Sequence, residues 1–236
     1  MEHMLAKIAG ILCAVLLGNG LPFVGTSEQE MSVIITETET CPLTLDDWRM
    51  VLVNGEHPLP EGFKVELAQL TNGMQVDVRC VEDLTAMLEA CRGTGSVPVV
   101  CSAYRTVEYQ TRLYEQKIRR LERGGMETEA AVMEAGTVVA IPGTSEHHLG
   151  LAVDIVDQCY QCLTTAQEET PVQKWLMEHC WEYGFILRYP EGKTEITGII
   201  YEPWHYRYVG REVAMDIRDR GVCFEEYLEL FSGSDI

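Results

Sequence analysis

A carboxylate stands where an interior strand should have none. Leu149 to Val156 reads Leu-Gly-Leu-Ala-Val-Asp-Ile-Val, a strand-length apolar run. Along a strand Leu151, Val153 and Ile155 share one face, and Ala152, Asp154 and Val156 share the other. The Asp154 face is otherwise apolar. A carboxylate there is costly unless that face is open to solvent or a cation or metal ion pairs with it.

Partners of the right chemistry are close by. His147 and His148 precede the run, within Ser145-Glu146-His147-His148. A second segment, Glu202-Pro203-Trp204-His205-Tyr206-Arg207, supplies another imidazole and another carboxylate. Two histidines and one aspartate leave the fourth position of a tetrahedral zinc open, the layout of a catalytic site and not of a closed structural one. Pro203 disfavours helical geometry at Glu202, so this is not the helical H-E-x-x-H arrangement, which the sequence lacks. His205 can bind the metal while Glu202 takes a proton from water, whose pKa a bound zinc lowers toward ~7, and later returns it to a leaving amine. Strand parity alone does not choose between His147 and His148 as ligand.

The surrounding pattern predicts an α+β domain. Leu84, Met87, Leu88 and Cys91 recur at helical spacing before Gly93. Val97 to Tyr104 reads as a strand. Thr106 can cap a helix striped by Tyr114, Ile118 and Leu121 and ended by Gly124-Gly125. Thr170-Pro171-Val172-Gln173 opens another, with Val172, Leu176, Cys180 and Tyr183 buried and Gly184 as its stop. Phe185 to Tyr189 and Ile199 to Trp204 read as strands around a polar turn. The elements do not alternate strictly as βαβ, which favours a central, mostly antiparallel sheet flanked by helices.

Ahead of this domain the composition changes. Lys7 precedes an apolar run from Ile8 to Leu17, and Leu21 to Val24 is apolar again. The run is short for a membrane span of about 20 residues and fits a secretory signal or N-terminal anchor over residues 1–25. Residues 26–40 include Ser27-Glu28-Gln29-Glu30 and Thr36-Glu37-Thr38-Glu39-Thr40, an acidic polar stalk; its alternative is one edge strand, Val33 to Thr36. The folded domain is expected over residues 41–236. A formal charge of −19 disfavours nucleic acid as a partner. Of nine cysteines one, Cys13, lies in the leader. The remaining eight permit 105 disulfide pairings. Cys159 and Cys162 form a C-x-x-C expected to be a local disulfide or plain packing.

Three ordered motifs carry a resemblance. Ser145 to Asp154 matches the S-x-H-x-x-G-x-A-x-D pattern of the D-alanyl-D-alanine metallocarboxypeptidases. These are the VanY-type enzymes, grouped with lysostaphin-like peptidases and the hedgehog signalling domain. Glu202 to His205 matches their E-x-W-H. Ser102-Ala103-Tyr104-Arg105-Thr106 followed by Gln110 resembles their S-x-Y-R-[ST] and the helix after it. Leu52-Val53-Asn54 with Pro58-Leu59-Pro60 resembles the usual opening of the domain, so the likeness covers roughly Leu52 to Val209.

The resemblance implies one Zn2+ held by His147, Asp154 and His205, with His148 a neighbour. It implies Glu202 as catalytic base and Arg105 as holder of the substrate and its developing oxyanion. Ser145, Gln110 and Trp204 are substrate-side candidates. The implied activity is a D,D-carboxypeptidase acting on peptidoglycan stem peptides outside the cytoplasmic membrane, with membrane contact through the N-terminal segment only. An L,D-carboxypeptidase or wall endopeptidase shares the zinc set. A noncatalytic zinc module would have no use for Glu202 and Arg105.

Overall fold

The structure is a computed structural model that describes residues 47–232. The leader, the acidic stalk with its alternative strand at Val33 to Thr36, and Cys41 lie outside the described residues.

Four strands form the main sheet: β3 (Pro98–Ser102), β4 (Ala152–Asp157), β5 (Phe185–Leu187) and β6 (His205–Tyr208). Their order is β3-β4-β6-β5 and every pairing is antiparallel. A small antiparallel pair, β1 (Leu67–Gln69) with β2 (Gln75–Asp77), lies apart from it. Pro98 is tolerated because β3 is an edge strand. β4 is buried along its whole length, as expected of an apolar run with neighbours on both sides.

The two faces of the sheet differ in kind. Val153, Ile155, Tyr206 and Tyr208 join one core with Leu84, Met87 and Leu88 of α1 (Val81–Gly93) and Val172 and Leu176 of α4 (Pro171–His179). Asp154, His205 and Arg207 alternate with those residues and so lie on the opposite face. A second core gathers Ile186, Val209, Val213, Ile217, Phe224 and Tyr227 with α6 (Arg211–Arg220) and α7 (Phe224–Ser232). None of the described helices is long and apolar enough to cross a membrane.

The helix signals act as the sequence suggests. Thr106 Oγ1 accepts from Tyr109 N at the start of α2 (Val107–Arg123), and Thr170 Oγ1 accepts from Gln173 N at the start of α4. The α2 stripe is only half-buried, however, because α2 packs on α3 (Thr128–Val138) at the edge of the molecule.

Two expectations are corrected. Ile199 to Trp204 is not a strand; the strand begins at His205. Pro203 has no amide to give a ladder, and the amides before it turn elsewhere, Ile200 N to Thr137 O and Glu202 N to Tyr189 O. The short helix α5 (Thr194–Thr197) lies just upstream. Cys159 and Cys162 are neither bridged nor packed; both are exposed free thiols, and all seven described cysteines are unpaired.

Candidate metal centre

Strand register assembles the site. Asp154 on β4 is the direct cross-strand partner of His205 on β6 and, across a bulge, of Ser102 on β3. His147 comes from a 3-10 turn, Glu146–Leu149, that precedes β4. Gly150 closes that turn at φ +72°, and a Cβ there would stand 2.9 Å from Asp77 N. Glycine is required on both counts, so the turn can deliver His147 next to the strand.

His147, Asp154 and His205 bring one potential ligand atom each within 4.8 Å of one another, and all three are buried. His147 Nδ1 donates to Ala103 O at 2.7 Å, which leaves Nε2 with its lone pair 3.3 Å from Asp154 Oδ2. Asp154 Oδ1 lies 3.0 Å from His205 Nδ1. Among the described residues, three buried side-chain polar atoms have no hydrogen-bond partner: His147 Nε2, His205 Nε2 and Glu146 Oε2. Buried polar atoms are rarely left so. The cluster's burial, its two imidazoles and its single carboxylate fit a tetrahedral zinc with one open position.

His148 is settled by its own bonds. Its Nδ1 donates to Arg105 O at 2.7 Å and its Nε2 accepts from Gly143 N at 3.3 Å. Neither nitrogen is available to a metal, so this ring braces the loop that carries Arg105.

The electrostatics separate the two carboxylates. Burial opposes ionisation of Asp154, but His147 and the Arg105 guanidinium outweigh it and hold the carboxyl well below its ordinary range. Glu202 is pushed up to about 8, chiefly by burial and further by Asp154, against His205 and Arg105. Burial, with Arg105, brings His147 down to about 4. One carboxylate is thus ionised and ligand-like; the other is poised to exchange a proton near neutral pH. Glu202 Oε2 stands 3.8 Å from His205 Nδ1.

These groups line a cavity of about 350 Å³, together with Ser145, Trp204, Tyr189 and Arg105. Arg105 is held by Ser102 Oγ at 2.7 Å through Nε, by Gln110 Oε1 at 3.3 Å through Nη1, and by Asp154 through Nη2. Gln110 itself is fully buried and does not line the cavity; its amide also donates to Ala140 O, so it reaches the site only through Arg105. Ser145 and Trp204 are nearly buried and do line it.

Sequence reading left several groups unassigned. Tyr189, whose ring centroid is 4.8 Å from that of His205, sits in no motif. Arg207 is expected from the sequence to brace a carboxylate or carbonyl that the sequence does not name; it finds Glu146 and the carbonyls of Arg49 and Val51, partners distant in sequence. Glu146 lies inside the first motif, but nothing local distinguishes it from a surface glutamate.

The family model for VanY, D-alanyl-D-alanine carboxypeptidase, matches residues 73–211. The chain belongs to the VanY family. It is 46% identical over 183 residues to a D-alanyl-D-alanine carboxypeptidase of Enterococcus faecalis, covering 77% of this chain and 66% of that relative. The chain therefore spans just under two thirds of that relative's length. Among solved structures, VanYB in complex with D-alanine-D-alanine superposes with a TM-score of 0.72 at 46% identity, covering 77% of this chain and 98% of that one. A vancomycin-resistance D,D-pentapeptidase VanY variant in complex with Zn(II) gives a TM-score of 0.72 at 45% identity, covering 77% and 99%. The described fold, α+β with antiparallel sheets, is that of these zinc peptidases.

Proposed function

We propose that this chain is a zinc-dependent D,D-carboxypeptidase that removes the terminal D-Ala from peptidoglycan stem peptides. The observation that carries this is the buried His147–Asp154–His205 cluster at the base of a cavity also lined by Glu202 and Arg105. His147, Asp154 and His205 would hold the ion, which when bound polarises the scissile carbonyl and makes water more acidic. Glu202 takes the proton of the attacking water and passes it to the departing D-Ala amine; its raised pKa suits both halves of that task. Arg105, fixed by Ser102 and Gln110, presents paired donors to the substrate's carboxylate or developing oxyanion. Ser145 and Trp204 form the cavity wall on the substrate side, and Gln110 acts by positioning Arg105.

The test is mass spectrometry of stem-peptide digests. A pentapeptide ending in D-Ala-D-Ala should lose one D-Ala, and a chelator should abolish the loss. Cleavage of a tetrapeptide stem in place of the pentapeptide would shift the assignment to an L,D-carboxypeptidase. Equal cleavage of a C-terminally amidated pentapeptide would shift it to an endopeptidase.

The same reading places residues 41–236 outside the cytoplasmic membrane, exported or anchored by residues 1–25 and spaced from it by the acidic stalk of residues 26–40. The apolar run Ile8 to Leu17 and the location of peptidoglycan support this. Protease shaving of intact cells should degrade or release the domain; full protection until lysis would remove this placement.

A further inference from the structure

Glu146 is almost fully buried, at 1% exposure, one residue before His147. Its Oε1 accepts from Arg188 Nε at 2.8 Å and from Arg207 Nη1 at 2.7 Å. Its Oε2 accepts nothing, and it faces His205 Nε2, equally without a partner, across 3.9 Å. Two orphaned atoms of complementary type thus confront each other in the interior. The gap is too short for a bridging water, which would need about 4.5 Å between the groups it joins.

The arginines do not compete for that oxygen. Arg188 gives Nη1 and Nη2 to Glu225 at 2.8 and 2.6 Å. Arg207 gives Nε to Tyr208 O and Nη2 to the carbonyls of Arg49 and Val51. Every guanidinium nitrogen is engaged, so the two side chains lock the Glu146 carboxylate from behind and leave one oxygen aimed at the imidazole. On the other side of that ring, Nδ1 lies 3.0 Å from Asp154 Oδ1.

We propose that Glu146 is the positioning residue of the metal site: when an ion is bound, the 3.9 Å gap closes and Oε2 accepts the Nε2 proton of His205, fixing the tautomer that offers the Nδ1 lone pair to an ion shared with His147 and Asp154. This rests on the zinc site of the proposed function and adds the group that orients one of its ligands. A metal-bound imidazole commonly donates its other N–H to a carboxylate or a carbonyl, which fixes the ring and strengthens it as a ligand. The site uses both kinds. His147 is oriented by a neutral carbonyl, Ala103 O, and His205 has the Glu146 carboxylate 3.9 Å from its Nε2 to play the same part.

The experiment is zinc affinity of the purified chain, measured by chelator competition, for wild type, Glu146→Gln and Glu225→Gln. In Glu146→Gln the amide oxygen is claimed by the two arginines, so its NH2 faces His205 Nε2. That forces the ring proton onto Nδ1, the ligand atom. Zinc affinity should fall about 10- to 100-fold, and the visible spectrum of the cobalt-substituted protein should change. Glu225→Gln disturbs the same buried Arg188 without touching His205, and should leave zinc affinity within about 3-fold of wild type.

Unchanged affinity in Glu146→Gln, or an equal loss in Glu225→Gln, would overturn the proposal. Should Glu146→Gln not fold, nitrogen-15 NMR of the zinc-loaded wild type decides. His205 protonated at Nε2 and metallated at Nδ1 is the expected result, and the reverse assignment overturns it. A wild type that binds zinc but releases no D-Ala would remove the proposed activity and leave this inference standing. A wild type that binds no zinc removes both.

Discussion

Two charged clusters lie back to back in this molecule, both buried, and they are satisfied to different degrees. Arg188, Arg207, Glu146 and Glu225 form the rear cluster; both arginines are fully buried and every guanidinium nitrogen has a partner. The front cluster, His147, Asp154, His205, Glu202 and Arg105, includes orphaned imidazole nitrogens and a carboxyl group raised to about 8. Burial alone therefore does not mark the working site. Incomplete satisfaction does, because an unpaired buried polar atom costs stability that something else must recover, which at His147 Nε2 a bound cation would do. On the proposed function the rear cluster is scaffold and the front is chemistry. Glu146 belongs to both.

The sharpest way to break this division is Glu202→Gln. Turnover on the pentapeptide should fall at least ~100-fold while zinc content and melting temperature stay near wild type. A variant that turns over almost normally would remove Glu202 from the chemistry. The rear cluster should behave in the opposite manner. Arg188→Ala strands the carboxylates of Glu146 and Glu225 and should destabilise the fold by about 3–5 kcal/mol in denaturant unfolding. A loss under ~1 kcal/mol would mean that the cluster is not scaffold.

The pH dependence of the metal-free protein separates the clusters further. The folded pKa of Glu202, about 8, lies above its ordinary 4.5. Its contribution to stability is therefore present in full below about 4.5 and is lost as pH rises through about 8. Melting of the metal-free wild type should worsen relative to Glu202→Gln across that window, on the order of 1–3 kcal/mol. No difference between the two proteins would show that Glu202 is more solvated than its burial implies. The smallest expected effect is Arg105→Lys. Catalytic efficiency should drop about 10-fold with zinc retained, since lysine cannot reproduce paired donors. Unchanged efficiency would mean that Arg105 engages neither carboxylate nor oxyanion.

Legibility in the sequence followed the distance over which a residue's partners lie. The caps at Thr106 and Thr170 act within three residues, and both form. The candidate ligand trio was legible because its chemistry is written into short motifs, with Asp154 conspicuous in an apolar run. The segment Ile199 to Trp204 misled because its apolar composition suits a strand while Pro203 breaks the ladder. Glu146 was legible only as a glutamate; its partners Arg188 and Arg207 stand 42 and 61 positions away.

The sequence by itself determined the starts of α2 and α4, the strands β3, β4 and β5 and the inventory of imidazoles, carboxylates and guanidinium groups, because each depends on local sterics, periodicity or side-chain type. The tertiary structure alone decided which of those groups meet. The β4–β6 register sets Asp154 opposite His205, the Gly150 turn delivers His147, and the hydrogen bonds of His148 withdraw it from metal binding. Whether a buried polar atom is satisfied depends on atoms brought from elsewhere in the chain, and only packing supplies those.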